Sequence, residues 1–310
     1  MGRITKMPAI ETLKLKGQTA YFSSSAHMKN VADDSVDFFI TSPPYWNLKN
    51  YGSPDEIGQG NYEFYLEKMN EVWQECYRVG KNNSVLVINV NSRRHLKQFY
   101  PIAFDIVRLM KGWKLHDNVT WYIPNALPQP NAYIERLLDN KFEYVLVFTK
   151  NGNTDYKFHK PRVPQKYMSA DPRANKNSKG RCLGNVLRIP AYRPPNIKKM
   201  NYHVAAFPEE LVSFFLECYT DKKDVVLDPF LGSGTTLKVS SVMGRVGIGY
   251  ELNPEFKPLV RARIEELWDV PDWKRLDVLH SATNDTKPVG PRKAHFAKIA
   301  KGGPGLFEDD

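Results

Sequence analysis

Two short runs of the chain carry residue types suited to chemistry on a small ligand. The first is Thr41-Ser42-Pro43-Pro44-Tyr45-Trp46. Consecutive prolines fix φ twice and contribute no N–H, so they hold their carbonyls outward as acceptors. The Ser42 hydroxyl and the Pro43 carbonyl then offer two acceptors side by side, which suits an amine on an aromatic ring. Holding both N–H bonds of such an amine points its lone pair at an electrophile, which is catalysis by positioning and electrostatics and needs no covalent nucleophile. Tyr45 supplies a flat face for a base turned out of a nucleic-acid stack. Read alone, the same run also fits a rigid loop that packs its aromatics into a core.

The second run is Asp228-Pro229-Phe230-Leu231-Gly232-Ser233-Gly234-Thr235-Thr236, set between an apolar strand and a helical pattern. A glycine-rich turn there lets backbone N–H groups approach a ligand at a helix N-terminus. Glu251 ends the next strand, 23 residues after Asp228, near the spacing at which an acid grips a ribose diol. Together these imply an adenosine-containing cofactor. ATP is disfavoured, because the only Gly-Lys pair, Gly80-Lys81, is followed by Asn82 and so lacks the phosphate-loop pattern. Asp228 would repel a pyrophosphate and attract an ammonium group, which points to the methionine part of S-adenosylmethionine.

The elements that must position these runs read as alternating strands and helices. Strands are predicted at Val36–Ile40, Ser84–Val90, Asn118–Ile123, Phe142–Thr149, Val225–Asp228 and Val246–Glu251, and helices at Tyr62–Arg78, Leu96–Met110, Pro208–Tyr219 and Thr235–Met243. Pro208 suits a first helical position, where a missing N–H costs nothing. The pattern predicts an α/β fold, Rossmann-like, with a doubly wound and mostly parallel sheet. A catalytic part spans 15–150, with the target-base motif at 41–45, and a cofactor-binding part spans 203–270. Between them, 151–202 breaks the periodicity and reads as a basic insert. Residues 275–310 have the Pro, Gly and Lys content of a flexible tail.

The net charge of +10 suits an anionic partner, and its distribution is uneven. Residues 151–200 hold twelve Lys and Arg against two Asp, so the rest of the chain is formally neutral. This makes 151–202 the candidate for recognising double-stranded DNA, with Arg162, Lys166, Arg173, Arg181, Arg188 and Arg193 as contacts. Trp46, Arg93, Arg94 and Arg136 lie near the catalytic side and join them. Cys76, Cys182 and Cys218 form no Cys-x-x-Cys pair, the histidines lack ligand spacing, and no metal site is expected. With neither an apolar membrane span nor a secretory leader, a cytoplasmic, nucleoid-associated location is expected.

These residues resemble the amino-methyltransferases of DNA, whose signature is Asp, Asn or Ser followed by Pro-Pro and an aromatic residue. Here it stands as Ser42-Pro43-Pro44-Tyr45, and it precedes the cofactor signature by 186 positions. That is the order of the circularly permuted beta type, with the recognition segment between the two motifs. Ser35-Val36-Asp37, Phe142 to Lys150 and Ala206 to Leu211 extend the likeness over about residues 20–260. The resemblance implies that Ser42, Pro43, Pro44 and Tyr45 hold the target base. It assigns the methionine part of the cofactor to Thr41, Asp228, Pro229, Phe230, Gly232, Ser233, Gly234, Thr235 and Thr236, the ribose to Glu251, and the adenine side to Phe207 and Pro208. One departure is that many members carry Gly-Asp about twelve residues before Ser-Val-Asp, where this chain reads Phe22-Ser23-Ser24.

Ser at the head of the signature, followed after Tyr45 by Trp46-Asn47-Leu48, looks like the group that methylates cytosine N4, with adenine N6 as the alternative. Cytosine C5 methylation needs a nucleophilic Cys, usually after Pro, and no Cys here follows a proline. A DNA-binding protein with a decayed site is the reading from another class, and intact Ser42 and intact glycines count against it. The resemblance leaves room for a homodimer and for a cognate restriction endonuclease as functional partner.

Overall fold

A computed structural model describes residues 10–46, 57–58, 61–129, 133–163, 181–191, 206–266 and 273. The expected tail at 275–310 lies outside the described residues, as do Lys166, Arg173 and Arg193, and of Arg181 only the backbone is described.

The chain opens with a hairpin of β1 (Glu11–Leu15) and β2 (Gln18–Phe22), followed by β3 (Val36–Thr41), α1 (Tyr62–Val79) and β4 (Gly80–Val90). A second hairpin, β5 (Arg93–His95) and β6 (Gln98–Tyr100), leads into α2 (Ile102–Leu109), β7 (Trp113–Tyr122) and β8 (Phe142–Lys150). Short strands β9 (Arg162–Val163), β10 (Arg181–Cys182) and β11 (Val186–Arg188) precede α3 (Glu209–Tyr219), β12 (Val225–Asp228), α4 (Thr235–Val242), β13 (Val246–Glu251) and α5 (Lys257–Glu265). Nine strands make one sheet in the order β1-β2-β13-β12-β3-β4-β8-β7-β11. All of them run the same way except β1 and β8, so the sheet is mixed but mostly parallel.

Residues alternate faces along each strand, and the central strands are apolar on both. On one face Phe39, Leu86, Ile88, Leu146 and Phe148 pack with α1 and α2. On the other, Phe38, Ile40, Val85, Val87, Val145 and Val147 pack with α3. The α1 residues Tyr65, Leu66, Met69, Val72, Trp73, Cys76 and Val79 are buried at helical spacing, and Asn61 caps the helix by accepting from the Phe64 N–H at 2.7 Å. The sheet is thus doubly wound. Such sheets bind ligands off the carboxyl ends of their strands, where the strand order reverses. Here the ends of β3, β12 and β13 meet at that edge.

Three sequence expectations change. A helix was expected from Leu96, but residues 93–100 form the β5–β6 hairpin and α2 begins only at Ile102, after Pro101. The hairpin turns through Leu96 and Lys97, whose φ values of 47° and 67° are unfavourable for side chains of that size and leave little sequence trace. Pro208 stands just before α3, with extended ψ of 150°, rather than in its first turn. The first hairpin was missed because its strands are short and carry Lys and Thr. Part of the basic segment also belongs to the sheet, since β11 pairs in parallel with β7. No described helix is long and apolar enough to cross a membrane.

Candidate active site

Parallel pairing of β12 with β3, with Leu227 opposite Phe39, brings the two sequence motifs together at one sheet edge. Thr41 ends β3 and donates its hydroxyl to Asp228 Oδ1 at 2.6 Å. The Phe230 N–H donates to the same oxygen at 3.0 Å, and Thr236 Oγ1 donates to Oδ2 at 2.6 Å. Asp228 is 1% exposed, and burial pushes its carboxyl up to about 6 against the help of these donors. The sequence reading gave Asp228 to a ligand ammonium, but both oxygens are engaged within the protein. It braces the glycine turn against the catalytic strand. Pro229, Ser233, Thr235 and Thr236 are buried around it, and Phe230 packs edge-on against Trp73 at 6.0 Å.

The turn itself requires its glycines. Gly232 and Gly234 have φ of 51° and 88°, and a Cβ on Gly234 would lie 3.2 Å from Val260 Cα. Glu251 closes the turn from the neighbouring strand. Its Oε2 accepts from the Gly232 N–H and its Oε1 from the Asn253 N–H, each at 2.9 Å. Burial raises this carboxyl to about 7, and the nearby Asp228 adds a smaller push. On the other side of Glu251, β2 ends with Phe22 in register with it. The next residue, Ser23, carries a buried hydroxyl without a protein partner. An acid at the strand end, an open glycine turn and this unsatisfied hydroxyl fit a cation-bearing nucleoside, and Ser23 stands where the sequence lacked the usual acid.

Phe207 and Pro208 reach this region through a buried ion cluster. Glu209, next to Pro208, bonds Lys238 of α4 at 2.9 Å and Arg263 of α5 at 2.6 Å, and both cations also bond Glu266. All four side chains are at most 3% exposed. They tie the start of α3 to the helix that opens at the glycine turn.

Beyond Thr41, the target motif lies across three strand ends. Thr41 is in register with Ile88 of β4, and the following β4 residue, Asn89, pairs with Val145 of β8. Because β8 runs antiparallel, it brings its beginning to this edge, and with it Glu143. Glu143 Oε2 accepts from Tyr45 Oη at 2.9 Å and from Asn89 Nδ2 at 2.6 Å. Asn89 Nδ2 lies 3.5 Å from Ser42 Oγ, and the Ser42 hydroxyl is hydrogen-bonded to the Tyr45 phenol. Burial, together with Glu143, raises the Tyr45 phenol well above its usual range, and burial raises the Glu143 carboxyl. Tyr65 donates to the Pro44 carbonyl at 3.0 Å, fixing the second proline. Ser42, Pro44 and Tyr45 are half-buried and Pro43 is buried. Asn89 and Glu143 were not singled out in the sequence, where they look like ordinary polar members of apolar strands.

The tentative DNA contacts divide. Trp46 is 6% exposed, packed against Tyr62, His95 and Tyr100, and so supports the loop from within instead of facing DNA. Arg93 donates to the Trp46 carbonyl at 2.8 Å, and Arg94 lies 3.5 Å from Glu135. Arg136 is exposed, with φ of 54°. Arg188 ends β11 on the catalytic edge, over the Tyr122 ring at 5.9 Å. Arg162 is half-buried in β9. Lys157, one of the basic residues counted after 150, pairs with Asp224 at 2.6 Å before β12, at the opposite edge of the sheet.

A sequence profile of the DNA methylase family matches residues 36–262. The Type II methyltransferase M.MthZI of Methanothermobacter thermautotrophicus is 29% identical over 275 residues, covering 79% of this chain and 76% of that protein. The Type II methyltransferase M.HpaI of Haemophilus parainfluenzae is 31% identical over 240 residues, covering 77% of this chain and 71% of that protein. Among solved structures, the cytosine-N4-specific PvuII DNA methyltransferase shares the fold with a TM-score of 0.62 at 20% identity, over 87% of this chain and 93% of that one. A DNA modification methylase of Thermus thermophilus, solved with S-adenosyl-L-methionine, gives a TM-score of 0.53 at 25% identity, over 78% and 90% of the two chains. The glycine turn and the Ser-Pro-Pro-Tyr motif, joined through Thr41 and Asp228, therefore have a shared context: the chain belongs to the DNA methylase family of N4 and N6 methyltransferases, with S-adenosyl-L-methionine as its cofactor.

Proposed function

We propose that this enzyme methylates the N4 amine of a cytosine extruded from double-stranded DNA. The observation that carries the reading is Ser42, held one residue beyond the Thr41–Asp228 bond and thus directly beside the cofactor turn. S-adenosyl-L-methionine supplies a methyl group activated by its sulfonium. Glu251 accepts the ribose hydroxyls, the glycine turn lines the methionine part, and Phe207 with Pro208 borders the adenine. Ser42 Oγ and the Pro43 carbonyl accept the two N–H bonds of the target amine, turning its lone pair toward the methyl group. Tyr45 borders the base, and Arg136 and Arg188 hold DNA phosphates.

Cytosine is favoured over adenine by Ser42 at the head of the signature and by Trp46-Asn47-Leu48 after it. Likeness to Type II methyltransferases extends the proposal to a modification that shields sites from a cognate endonuclease. The test is methylation of duplex DNA with labelled cofactor, followed by digestion to nucleosides. N4-methylcytosine is expected. N6-methyladenine would overturn the choice of base, 5-methylcytosine alone would overturn amine chemistry, and cofactor binding without turnover would overturn catalysis.

A further inference from the structure

Methylation of an exocyclic amine leaves one proton too many on nitrogen. The nitrogen lone pair forms the N–C bond, the C–S bond breaks with its electron pair going to sulfur, and the methylated amine must shed a proton to become neutral. Of the groups at the edge, Ser42 is a hydroxyl of ordinary basicity and Asp228 is committed to three donors on the cofactor side. Glu143 is the other carboxylate that the strand ends deliver, and it stands two hydrogen bonds from Ser42.

We infer that Glu143 is the terminal proton acceptor of the reaction, reached through a relay from Ser42 to Tyr45. The amine proton passes to Ser42 Oγ as the serine's own proton moves to Tyr45 Oη and the tyrosine's moves to Glu143 Oε2. The products are the neutral methylamine, the thioether and a protonated Glu143, which then returns its proton to water. Charge balances without any further reactant: a cationic methyl donor and a carboxylate become two neutral groups.

Several observations converge on this assignment. Tyr45 and Asn89 both donate to the same oxygen of Glu143, which fixes the carboxylate and leaves its other oxygen open to exchange with solvent. Asn89 is 3% exposed, and its Oδ1 has no partner in the protein. It is a third acceptor in the cluster, beside a site that must receive an amine. Burial also makes Glu143 a better base than an exposed glutamate. The inference rests on reading Ser42-Pro43-Pro44-Tyr45 as the target-base motif.

Glu143→Gln tests it, because the amide oxygen can still accept from Tyr45 and Asn89 while losing the capacity to take a proton. In single-turnover reactions, Glu143→Gln should lower the methyl-transfer rate by about 100-fold or more, with cofactor and DNA affinities within about threefold of the parent. The parent rate should fall on the acid side of its pH profile, and that limb should be absent from the variant. Glu143→Asp should recover part of the rate and restore the limb. Tyr45→Phe breaks the relay without touching the carboxylate and carries the same expectation, should Glu143→Gln fail to fold by circular dichroism. A variant rate within about threefold of the parent, or an unchanged pH profile, would overturn the role of Glu143. Nucleoside analysis of the parent reaction separates the two failures: a methylated amine from the parent with a fully active Glu143→Gln sinks the relay alone, whereas no methylated amine sinks the site reading beneath it.

Discussion

Glu251 and Asp228 are carboxylates held against the penalty of burial, and that penalty has consequences for pH. Their carboxyls rise from 4.5 to about 7 and from 3.8 to about 6 in the fold. Folded, they bind protons more readily than unfolded, so the cofactor-free protein should gain stability as pH falls from about 8 to about 5 and lose it as pH rises through these values. A cation and a pair of hydroxyl donors favour the ionised acid, so cofactor binding should weaken from about pH 8 to about pH 6 and should release a proton near neutrality. Calorimetry in buffers of different ionisation enthalpy measures that proton, and Glu251→Gln should abolish most of it; binding that is flat with pH would contradict the assignment. The chemistry of Ser42 and of the glycine turn was legible in the sequence because rare residue types stand at fixed spacing there. Glu143 and Asn89 were not, since their meaning lies in which strand neighbours which and in the reversed direction of β8. Asp228 was legible as a site residue but misread in detail, because its hydroxyl partner Thr41 comes from 187 positions away.

Among the elements, three helices depend on one ionic knot. Lys238, Arg263, Glu209 and Glu266 lock α3, α4 and α5 together out of reach of water. Breaking a buried pair from one side leaves an uncompensated charge, which costs more than the intact pair contributes. Lys238→Met should therefore destabilise the protein by about 3–5 kcal/mol in urea unfolding and loosen cofactor binding, although Lys238 touches no ligand. A loss under about 1 kcal/mol would mean that Glu209 and Glu266 find other partners. The long strands and α1 were readable from periodicity and apolar content. The β5–β6 hairpin was not, because an apolar count from Leu96 onward matches a helix, and only Pro101 and the left-handed turn residues oppose it.

At the scale of the molecule, a formal charge of +10 overstates the number of phosphate contacts. Lys157 is engaged with Asp224 at the edge opposite the site, whereas Arg188 lies at the catalytic edge. Lys157→Ala should leave the slope of log affinity against log salt unchanged, while Arg188→Ala should reduce it by about 1. Equal slopes for both variants would remove β11 from the DNA surface. The parallel α/β fold was legible as an alternation of elements, but the strand order was not, since it depends on pairings between the two ends of the chain. That order has a cost in time: β12 and β13 sit between β2 and β3, so on the ribosome the edges of β2 and β3 must stay unpaired until residue 251 has been made. The first strands of the enzyme wait for nearly the last, which makes its nascent chain a long-lived client for whatever shields open sheet edges during synthesis.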